Sequence, residues 1–233
     1  MPHPTPAPAG PFAWTAEAAA RREEAGLTRA LRPRPAASDT LDLAGNDYLG
    51  LARHPEVTEA AAGAAHRWGA GATGSRLVSG STALHAELER ELADFCGAEA
   101  ALVLSSGYAA NLAAVTALAP AGTLLVSDTS NHASLIDGCR LARGATEVVA
   151  HADPDAVRKA LAAHRGPALG VFDAVFSVDG DAAPLPALAA ACREHGAGIL
   201  VDDAHGPRGS SARAVGAART PPGWPGHPTP SSP

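Results

Sequence analysis

The chain has 233 residues, 46% of them hydrophobic and only 4% aromatic, which suffices for one large domain with an aliphatic core. Its formal net charge of −6 at pH 7 argues against a nucleic-acid partner, since a surface that binds nucleic acid needs clustered Lys and Arg. No apolar run reaches the ~18 residues of a membrane span, and the Pro-rich start lacks the order of a signal peptide. We therefore expect a cytoplasmic protein without a membrane partner.

Helical and strand patterns alternate along most of the chain. A first helix is predicted over 13–31, and a short strand followed by a turn within 41–51. Helices then follow over 55–68 and 82–96. From residue 100 onward, strands are predicted at 100–106, 123–128, 146–151, 168–176 and 198–203, and helices at 108–118, 133–143, 153–165 and 185–196. This order indicates βαβ units, and hence an α/β fold with a mostly parallel sheet.

The composition divides the chain into three predicted regions. Residues 1–50 form an N-terminal arm and helix, 51–205 the α/β domain, and 206–233 a tail rich in Pro, Gly and Ser. Because the tail has no acidic residue and no apolar periodicity, we expect it to be disordered. The abrupt loss of pattern near Gly206 suggests the hypothesis that the tail is an out-of-frame reading of a GC-rich gene.

The first candidate site residues follow the strands predicted at 100–106 and 123–128, because ligands of parallel sheets bind outside the carboxyl ends of the strands. Gly107 and Tyr108 lie where a strand turns into a helix, and free amides there favour an anion such as phosphate. An ordinary tight turn explains these two residues equally well. His132 lies near the next helix start, where its ring can lie against a planar ligand or can cap the helix.

Further candidates follow the strands predicted at 168–176 and 198–203. Ser177 comes directly after the first of these, and Asp173 lies inside it as a carboxylate that needs a partner if it is buried. Asp202 can pair with a protonated ring nitrogen, and His205 can reach a phenolic oxygen on the same ring. Pyridoxal phosphate (PLP) presents these groups together. Because no CxxC or HxxxH spacing occurs, no metal site is predicted.

Taken in order, these motifs resemble those of the α-oxoamine synthases, PLP-dependent enzymes with the aspartate-aminotransferase fold (fold type I). The resemblance extends from about Trp14 to Gly206. Seven segments carry it: GLTR (26–29), NDYLGLARHP (46–55), GAGATGSRLVSGSTALHAELE (69–89), SSGYAAN (105–111), NHASLIDGCR (131–140), FSVDGDAAPL (176–185) and VDDAHG (201–206). It implies a PLP-binding large domain with an incomplete, mostly parallel sheet and flanking helices.

The resemblance assigns cofactor roles to six residues of these motifs. They are Gly107, Tyr108, His132, Ser177, Asp202 and His205. In the family pattern the first two hold the phosphate region, and His132 stacks on the pyridine ring and contacts substrate. Ser177 and His205 approach the ring oxygen O3′, and Asp202 keeps the ring nitrogen protonated.

The resemblance also implies a reaction in which an amino acid condenses with an acyl thioester and loses carbon dioxide. The branch it resembles most joins L-alanine to a pimeloyl thioester, carried by CoA or acyl-carrier protein, in biotin biosynthesis, and works as a homodimer. Arg29 resembles the arginine that meets the acyl substrate, with Arg22 as a nearby alternative. A glycine C-acetyltransferase, an aminolevulinate synthase and a non-catalytic fragment remain open as alternatives.

No catalytic lysine is predicted in this chain. In the family the lysine that binds the cofactor lies beyond the VDDAHG segment, whereas Lys159 is the one lysine here. The helical pattern around Lys159 predicts that it lies on a polar, solvated face. Because both the covalent cofactor link and proton transfer need an amine beside the cofactor, we expect a truncated chain that does not turn over substrate.

Overall fold

The computed structural model describes residues 10–36 and 40–206, and these residues divide into two units between Ala70 and Gly71. The tail predicted from residue 206 lies, apart from its first residue, outside the described part of the chain. The three-region division remains a prediction. Among the described residues, no helix is both long enough and apolar enough to cross a membrane.

The first unit contains helix α1 (Trp14–Glu24), a short 3-10 turn (Leu51–Arg53) and helix α2 (Pro55–Trp68). The prediction for α2 is confirmed, with proline at its first position as helix starts favour. The helix predicted over 13–31 is too long. Gly26 has a φ of +67° and the Leu27 amide donates to the Arg22 carbonyl at 2.8 Å, a geometry that ends a helix.

The strand predicted within 41–51 is wrong, because this segment forms turns. The Asp42 carboxylate accepts from the Ala44 amide at 3.1 Å and pairs with Arg34. Asp47 likewise accepts from the Leu51 amide at 2.8 Å. Short acidic side chains that bond nearby backbone amides stabilise turns at the expense of a strand ladder.

The second unit begins with a π-helical turn (Arg76–Gly80) and helix α3 (Ala83–Cys96), close to the predicted 82–96. The strand predicted at 100–106 is wrong. Its central backbone groups bond to side chains, since the Val103 amide donates to Glu89 Oε1 and the Val103 carbonyl accepts from Arg76, both at 2.9 Å. With these groups occupied, the segment cannot offer them to a neighbouring strand.

The sheet of the second unit confirms the predicted α/β fold. Its four strands are β1 (Leu124–Asp128), β2 (Ala145–Val149), β3 (Ala168–Asp173) and β4 (Gly198–Asp202), all parallel, in the order β2-β1-β3-β4. The helices are α4 (Gly107–Leu118), α5 (Ala133–Leu141), α6 (Pro154–Ala162) and α7 (Leu185–Glu194). Asp153 caps α6 as the sequence suggests, accepting from the amides of Asp155 and Ala156.

The sheet separates two apolar clusters. The first cluster contains side chains of β1, β3, α6 and α7, among them Val157, Phe172 and Leu188. The second contains side chains of β1, β3, α4 and α5, among them Val115 and Leu135. All five of these side chains are almost inaccessible to solvent. Because all four strands are parallel, their carboxyl ends lie along one edge of the sheet.

Candidate functional site

Three aspartates mark the carboxyl edge of the sheet. Asp128 is the last residue of β1, Asp173 of β3 and Asp202 of β4, and the last two are directly paired across the sheet. Asp128 and Asp173 are buried, whereas Asp202 is half-buried. The edge therefore concentrates negative charge where a parallel sheet binds its ligands.

A chain of hydrogen bonds joins Asp202 to His132. Asn111 of α4 donates from Nδ2 to Asp202 Oδ2 at 2.6 Å and to Ser134 Oγ at 2.9 Å. Ser134, fully buried in α5, contacts His132 Nδ1 through its hydroxyl at 2.7 Å. The network connects the two residues for which the family resemblance implies contact with the nitrogen and with the face of one ring.

The His132 ring also caps helix α5, one of the two roles that the sequence left open. Its Nδ1 accepts from the Ser134 amide at 3.3 Å. Because Nδ1 acts as the acceptor, the neutral ring carries its proton on Nε2, away from the helix. The ring is exposed, so it is accessible to a planar ligand while its orientation is set by the cap.

Asp173 has the partner that its predicted burial demands. It is 4% exposed and accepts from the His132 backbone amide at 2.6 Å. Burial raises the pKa of its carboxyl to about 6, opposed by this hydrogen bond and reinforced by the negative charge of Asp202. Asn131 holds the strand in place by accepting from the Asp173 amide and donating to the Val171 carbonyl.

Gly107 and Tyr108 open helix α4, next to the start of α5. Ser106 caps α4 by accepting from the Ala109 amide at 3.1 Å. The half-exposed Tyr108 donates its phenol to Asp137 of α5, and this hydrogen bond raises the pKa of Tyr108 and lowers that of Asp137. The tyrosine thus ties the first turn of α4 to α5, and Asn111, one turn further along α4, bonds to Asp202 at the end of β4.

Ser177 and His205 follow the ends of β3 and β4 along the chain, which are Asp173 and Asp202. Ser177 is exposed in a turn closed by hydrogen bonds from the Gly180 amide to the Phe176 carbonyl and from the Phe176 amide to the Asp181 carbonyl. His205 is half-buried three residues after Asp202, and its charge contributes to lowering the pKa of Asp173. Their roles at the cofactor stay predictions.

Sequence reasoning missed a second polar cluster at this edge, formed by Asp128, His151 and Asp181. His151 Nδ1 lies 3.0 Å from Asp128 Oδ1, and its Nε2 lies 2.9 Å from Asp181 Oδ2. The strand predicted at 146–151 extends through His151, whereas β2 ends at Val149. A boundary two residues earlier would have put His151 among the polar groups that follow strands.

The predicted substrate arginines belong to the first unit. Arg22 lies in the last turn of α1 and Arg29 follows that helix, and both line one open depression with Gly26, Leu27 and Thr28. The assignment of Arg29 to the acyl substrate stays a prediction. The solvated position predicted for Lys159 is confirmed, since this residue is exposed in the last turn of α6.

Comparison with known proteins identifies the group of enzymes to which this geometry is related. An 8-amino-7-oxononanoate synthase of Mycolicibacterium vanbaalenii is 54% identical over 208 residues, which are 88% of this chain and 55% of that protein. One of Mycobacterium tuberculosis (strain F11) is 55% identical over 197 residues, 84% of this chain and 51% of the relative. The chain thus spans about half the length of the curated relatives it matches.

Solved structures show the same fold. A Sphingomonas wittichii serine palmitoyltransferase matches with a TM-score of 0.65 and 36% identity over 67% of this chain and 40% of that chain. An 8-amino-7-oxononanoate synthase from Francisella tularensis matches with a TM-score of 0.56 and 25% identity over 67% and 42%, respectively. A serine palmitoyltransferase from S. paucimobilis with a bound PLP–myriocin aldimine matches with a TM-score of 0.69 and 29% identity, over 82% and 51%.

The family model for aminotransferase class I and II matches residues 38–221, which include every strand of the sheet and every polar group of its carboxyl edge. The chain belongs to the aminotransferase class I and II family.

Proposed function

We propose that the carboxyl edge of the sheet binds PLP and that the chain supplies this cofactor site to an 8-amino-7-oxononanoate synthase. The observation that carries the proposal is the hydrogen-bonded path from Asp202 through Asn111 and Ser134 to His132. It sets the carboxylate expected at the ring nitrogen and the imidazole expected at the ring face in one rigid arrangement. The relatives' shared name and 54–55% identity support the choice of branch.

The residues at this edge fit the chemical groups of PLP. The Asp202 carboxylate is held by Asn111 and by the Ala204 amide at 2.9 Å, so it is oriented before a ligand arrives. A carboxylate in this position keeps a pyridine nitrogen protonated. The start of α4 at Gly107 offers backbone amides to a phosphate.

When bound, PLP supplies a protonated ring that accepts electrons from the substrate carbon. Asp202 would accept a hydrogen bond from the protonated ring nitrogen, and His132 would place its ring face against the pyridine and its Nε2–H toward substrate. Ser177 and His205 serve as donors to O3′. Asp173 keeps the His132 backbone in place through its hydrogen bond to that amide.

Binding to this chain is proposed to be noncovalent. The chain's one lysine, Lys159, is exposed in the last turn of α6, a helix that starts near the carboxyl edge and runs away from it. An amine at that position is not adjacent to the residues expected to contact the ring. Tight binding of the cofactor by this chain therefore depends on the polar contacts of Asp202, His132 and the α4 N-terminus.

The proposed substrates are L-alanine and a pimeloyl thioester, and the proposed enzyme is a cytoplasmic homodimer. Large apolar side chains such as Leu77 and Val78, 98% and 85% exposed, are available to a partner chain. A second candidate uses L-serine, since serine palmitoyltransferases are among the matching structures. The higher identity to the oxononanoate synthases favours alanine.

Titration of the full 233-residue chain with pyridoxamine 5′-phosphate, followed by the ligand's fluorescence, tests the cofactor site. This ligand carries an amine in place of the aldehyde and so cannot react with Lys159. We expect Asp202→Asn to weaken binding about tenfold through loss of a charged hydrogen bond, and His132→Ala to weaken it about fivefold. His195→Gln is the control, because His195 is exposed at the end of α7, before β4 begins.

Circular dichroism of each variant establishes that it is folded as the wild-type chain is. Equal affinities of the wild type, the Asp202→Asn variant and the His132→Ala variant would refute the proposed site, as would a folded wild-type chain that does not bind the ligand.

A further inference from the structure

We propose that His151 is a positioning residue that holds the turn Phe176–Asp181, and with it Ser177, at the cofactor site. This inference rests on the proposed function, because it concerns how Ser177 is held toward a PLP ring. Neither the motifs that carry the family resemblance nor the predicted site residues include His151. Its role follows from three contacts that it makes beyond the end of β2.

The turn that carries Ser177 has few attachments of its own. Residues 177–180 are exposed, and an isolated bridge between Val175 and Ala182 closes the base of the turn. Gly180 has a φ of +75°, which permits the tight reversal. The turn is fixed to the rest of the unit through Phe176, which is 1% exposed, and through the side chain of Asp181.

His151 contacts both of these attachment points. Its Nε2 lies 2.9 Å from Asp181 Oδ2, and its ring packs edge-on against Phe176 with centroids 4.3 Å apart and planes at 79°. Asp181 Oδ1 is buried and has no hydrogen-bond partner in the described ranges. Burial of the Asp181 carboxylate costs free energy, and the contact with His151 therefore offsets most of that cost.

The other side of the His151 ring is anchored to the end of β1. Nδ1 lies 3.0 Å from Asp128 Oδ1, and the Asp128 side chain is 1% exposed. Asp128 also accepts from the Ser130 amide at 2.8 Å and from the Ala152 amide at 2.7 Å. The anchor is thus a buried carboxylate fixed by backbone donors, to which the exposed turn is linked through one imidazole.

The backbone next to His151 supports this reading. Ala152 has a φ of +50°, a conformation that costs a residue with a side chain about 1 kcal/mol or more. The Ala152 amide bonds to Asp128 in this conformation, so the strained residue keeps the preceding imidazole directed between the two carboxylates.

Both contacts with carboxylates need an N–H on the ring, and only the imidazolium has two. The hydrogen bond to Asp128, then that to Asp181, raises the pKa of His151 against the opposing effect of burial. Asp128 at the end of β1 and Asp181 on the turn are the charged groups that face it. The tether is complete below the ordinary histidine pKa of 6.5 and weakens as the pH rises through the raised value.

The test is a set of double-mutant cycles read by pyridoxamine 5′-phosphate affinity on the full chain. We expect His151→Gln and Ser177→Ala each to weaken binding about fivefold, and His151→Gln to add almost nothing when Ser177 is already alanine. Asp181→Asn should behave as His151→Gln does, also without additivity. Because Asp181 is on the partly exposed turn, this variant tests the same tether if His151→Gln does not fold.

A pH series adds a readout that a purely structural role would not change. The wild-type chain should lose affinity as the pH rises through the pKa of His151, and the His151→Gln variant should lack that step. His195→Gln should retain it. NMR can measure the pKa of His151 directly in the wild type and in the Asp181→Asn variant. We expect the value to be lower in the variant.

The outcomes separate the two proposals. If His151→Gln lowers the melting temperature but leaves affinity unchanged, or weakens binding equally with and without Ser177, the positioning role is refuted. If Asp202→Asn and His132→Ala weaken binding while His151→Gln does not, the cofactor site stands and the present inference fails. A folded wild-type chain that does not bind the ligand refutes both.

Discussion

His132 combines a structural role at the carboxyl edge with an exposed ring, which is the part proposed to contact the cofactor. Its Nδ1 caps α5, its backbone amide bonds to Asp173, and its exposed ring remains accessible to a ligand. The capping contact fixes the tautomer and the orientation of the ring, which is the kind of preorganisation that binding sites require. The fold therefore sets this side chain before any ligand is bound.

Asp173 gives a pH-dependent prediction, because burial raises the pKa of its carboxyl from 3.8 to about 6. Ionisation of this buried group costs folding energy, so its contribution to the free energy of unfolding falls as the pH rises from about 4 to above 6. Asp173→Asn removes the charge. The free energy of unfolding of the variant minus that of the wild type should therefore be larger at pH 8 than at pH 5. We expect the increase to be about 1 kcal/mol, measured by urea unfolding.

Asp153→Asn is the matched control, since it changes one charge in a helix cap that remains a good cap. A stability difference between Asp173→Asn and the wild type that is the same at pH 5 and pH 8 would contradict the raised pKa of Asp173.

Single residues differed in how well the sequence predicted them. Asp202 and His132 could be predicted because each follows an apolar run, and Asp173 because a carboxylate inside an apolar run needs a partner. Asn111 and Ser134, which join them, were not singled out, since an amide and a hydroxyl inside helices give no signal until two helices are packed. His151 was missed because the strand predicted at 146–151 includes it, and local sequence does not reveal its partners 23 and 30 residues away.

At the scale of elements, the site depends on the close approach of α4 and α5. Asn111 on α4 reaches Ser134 on α5 at 2.9 Å. Gly138 of α5 permits this approach, since a Cβ there would lie 3.0 Å from Val115 Cβ and 3.4 Å from the Asn111 carbonyl oxygen. Because Gly138 has no side chain, α4 and α5 can lie close enough for Asn111 to bond to Ser134 in the path from Asp202 to His132.

Gly138→Ala should therefore destabilise the chain although alanine favours helices. We expect a loss of about 1–3 kcal/mol, measured by urea unfolding, because the new methyl group must displace Val115 or separate the helices. Gly63→Ala is the control in α2, where a Cβ meets no atom within 4 Å. This control should be neutral or stabilising by up to about 1 kcal/mol.

The two substitutions share the same chemical change, so a difference between them isolates the packing at α5. If Gly138→Ala proves as stable as Gly63→Ala, the close contact between α4 and α5 is not required by the fold.

Most elements of the second unit could be predicted because the spacing of their apolar residues agrees with the side chains that they bury, as in α6, α7, β1 and β3. The two wrong strands, at 41–51 and 100–106, have strand-like composition but lose their backbone groups to side chains. For the second of these, the partners are Glu89 and Arg76, which come from α3 and the turn before it. Local sequence cannot reveal such competition, because it depends on where distant side chains are placed.

At the scale of the whole molecule, burial is distributed unequally between the two units. Neither α1 nor α2 contains a buried residue, whereas β1 is buried throughout and β3 at every position but its first. Since helix stability in proteins comes mainly from packing of an apolar face, the helices of the first unit have little tertiary support within the described ranges. The central strands carry both clusters of the core.

This difference predicts the pattern of amide hydrogen exchange. We expect amides of α1 and α2 to exchange orders of magnitude faster than those of β1 and β3, because opening a helix without buried contacts costs little free energy. Mass spectrometry of peptides from dilute protein measures both regions in one sample. Protection of α2 that increases with protein concentration would indicate that a partner chain covers it. Protection equal to that of β3 at every concentration would contradict the prediction, since it would require a stabilising core that the described residues of the first unit do not contain.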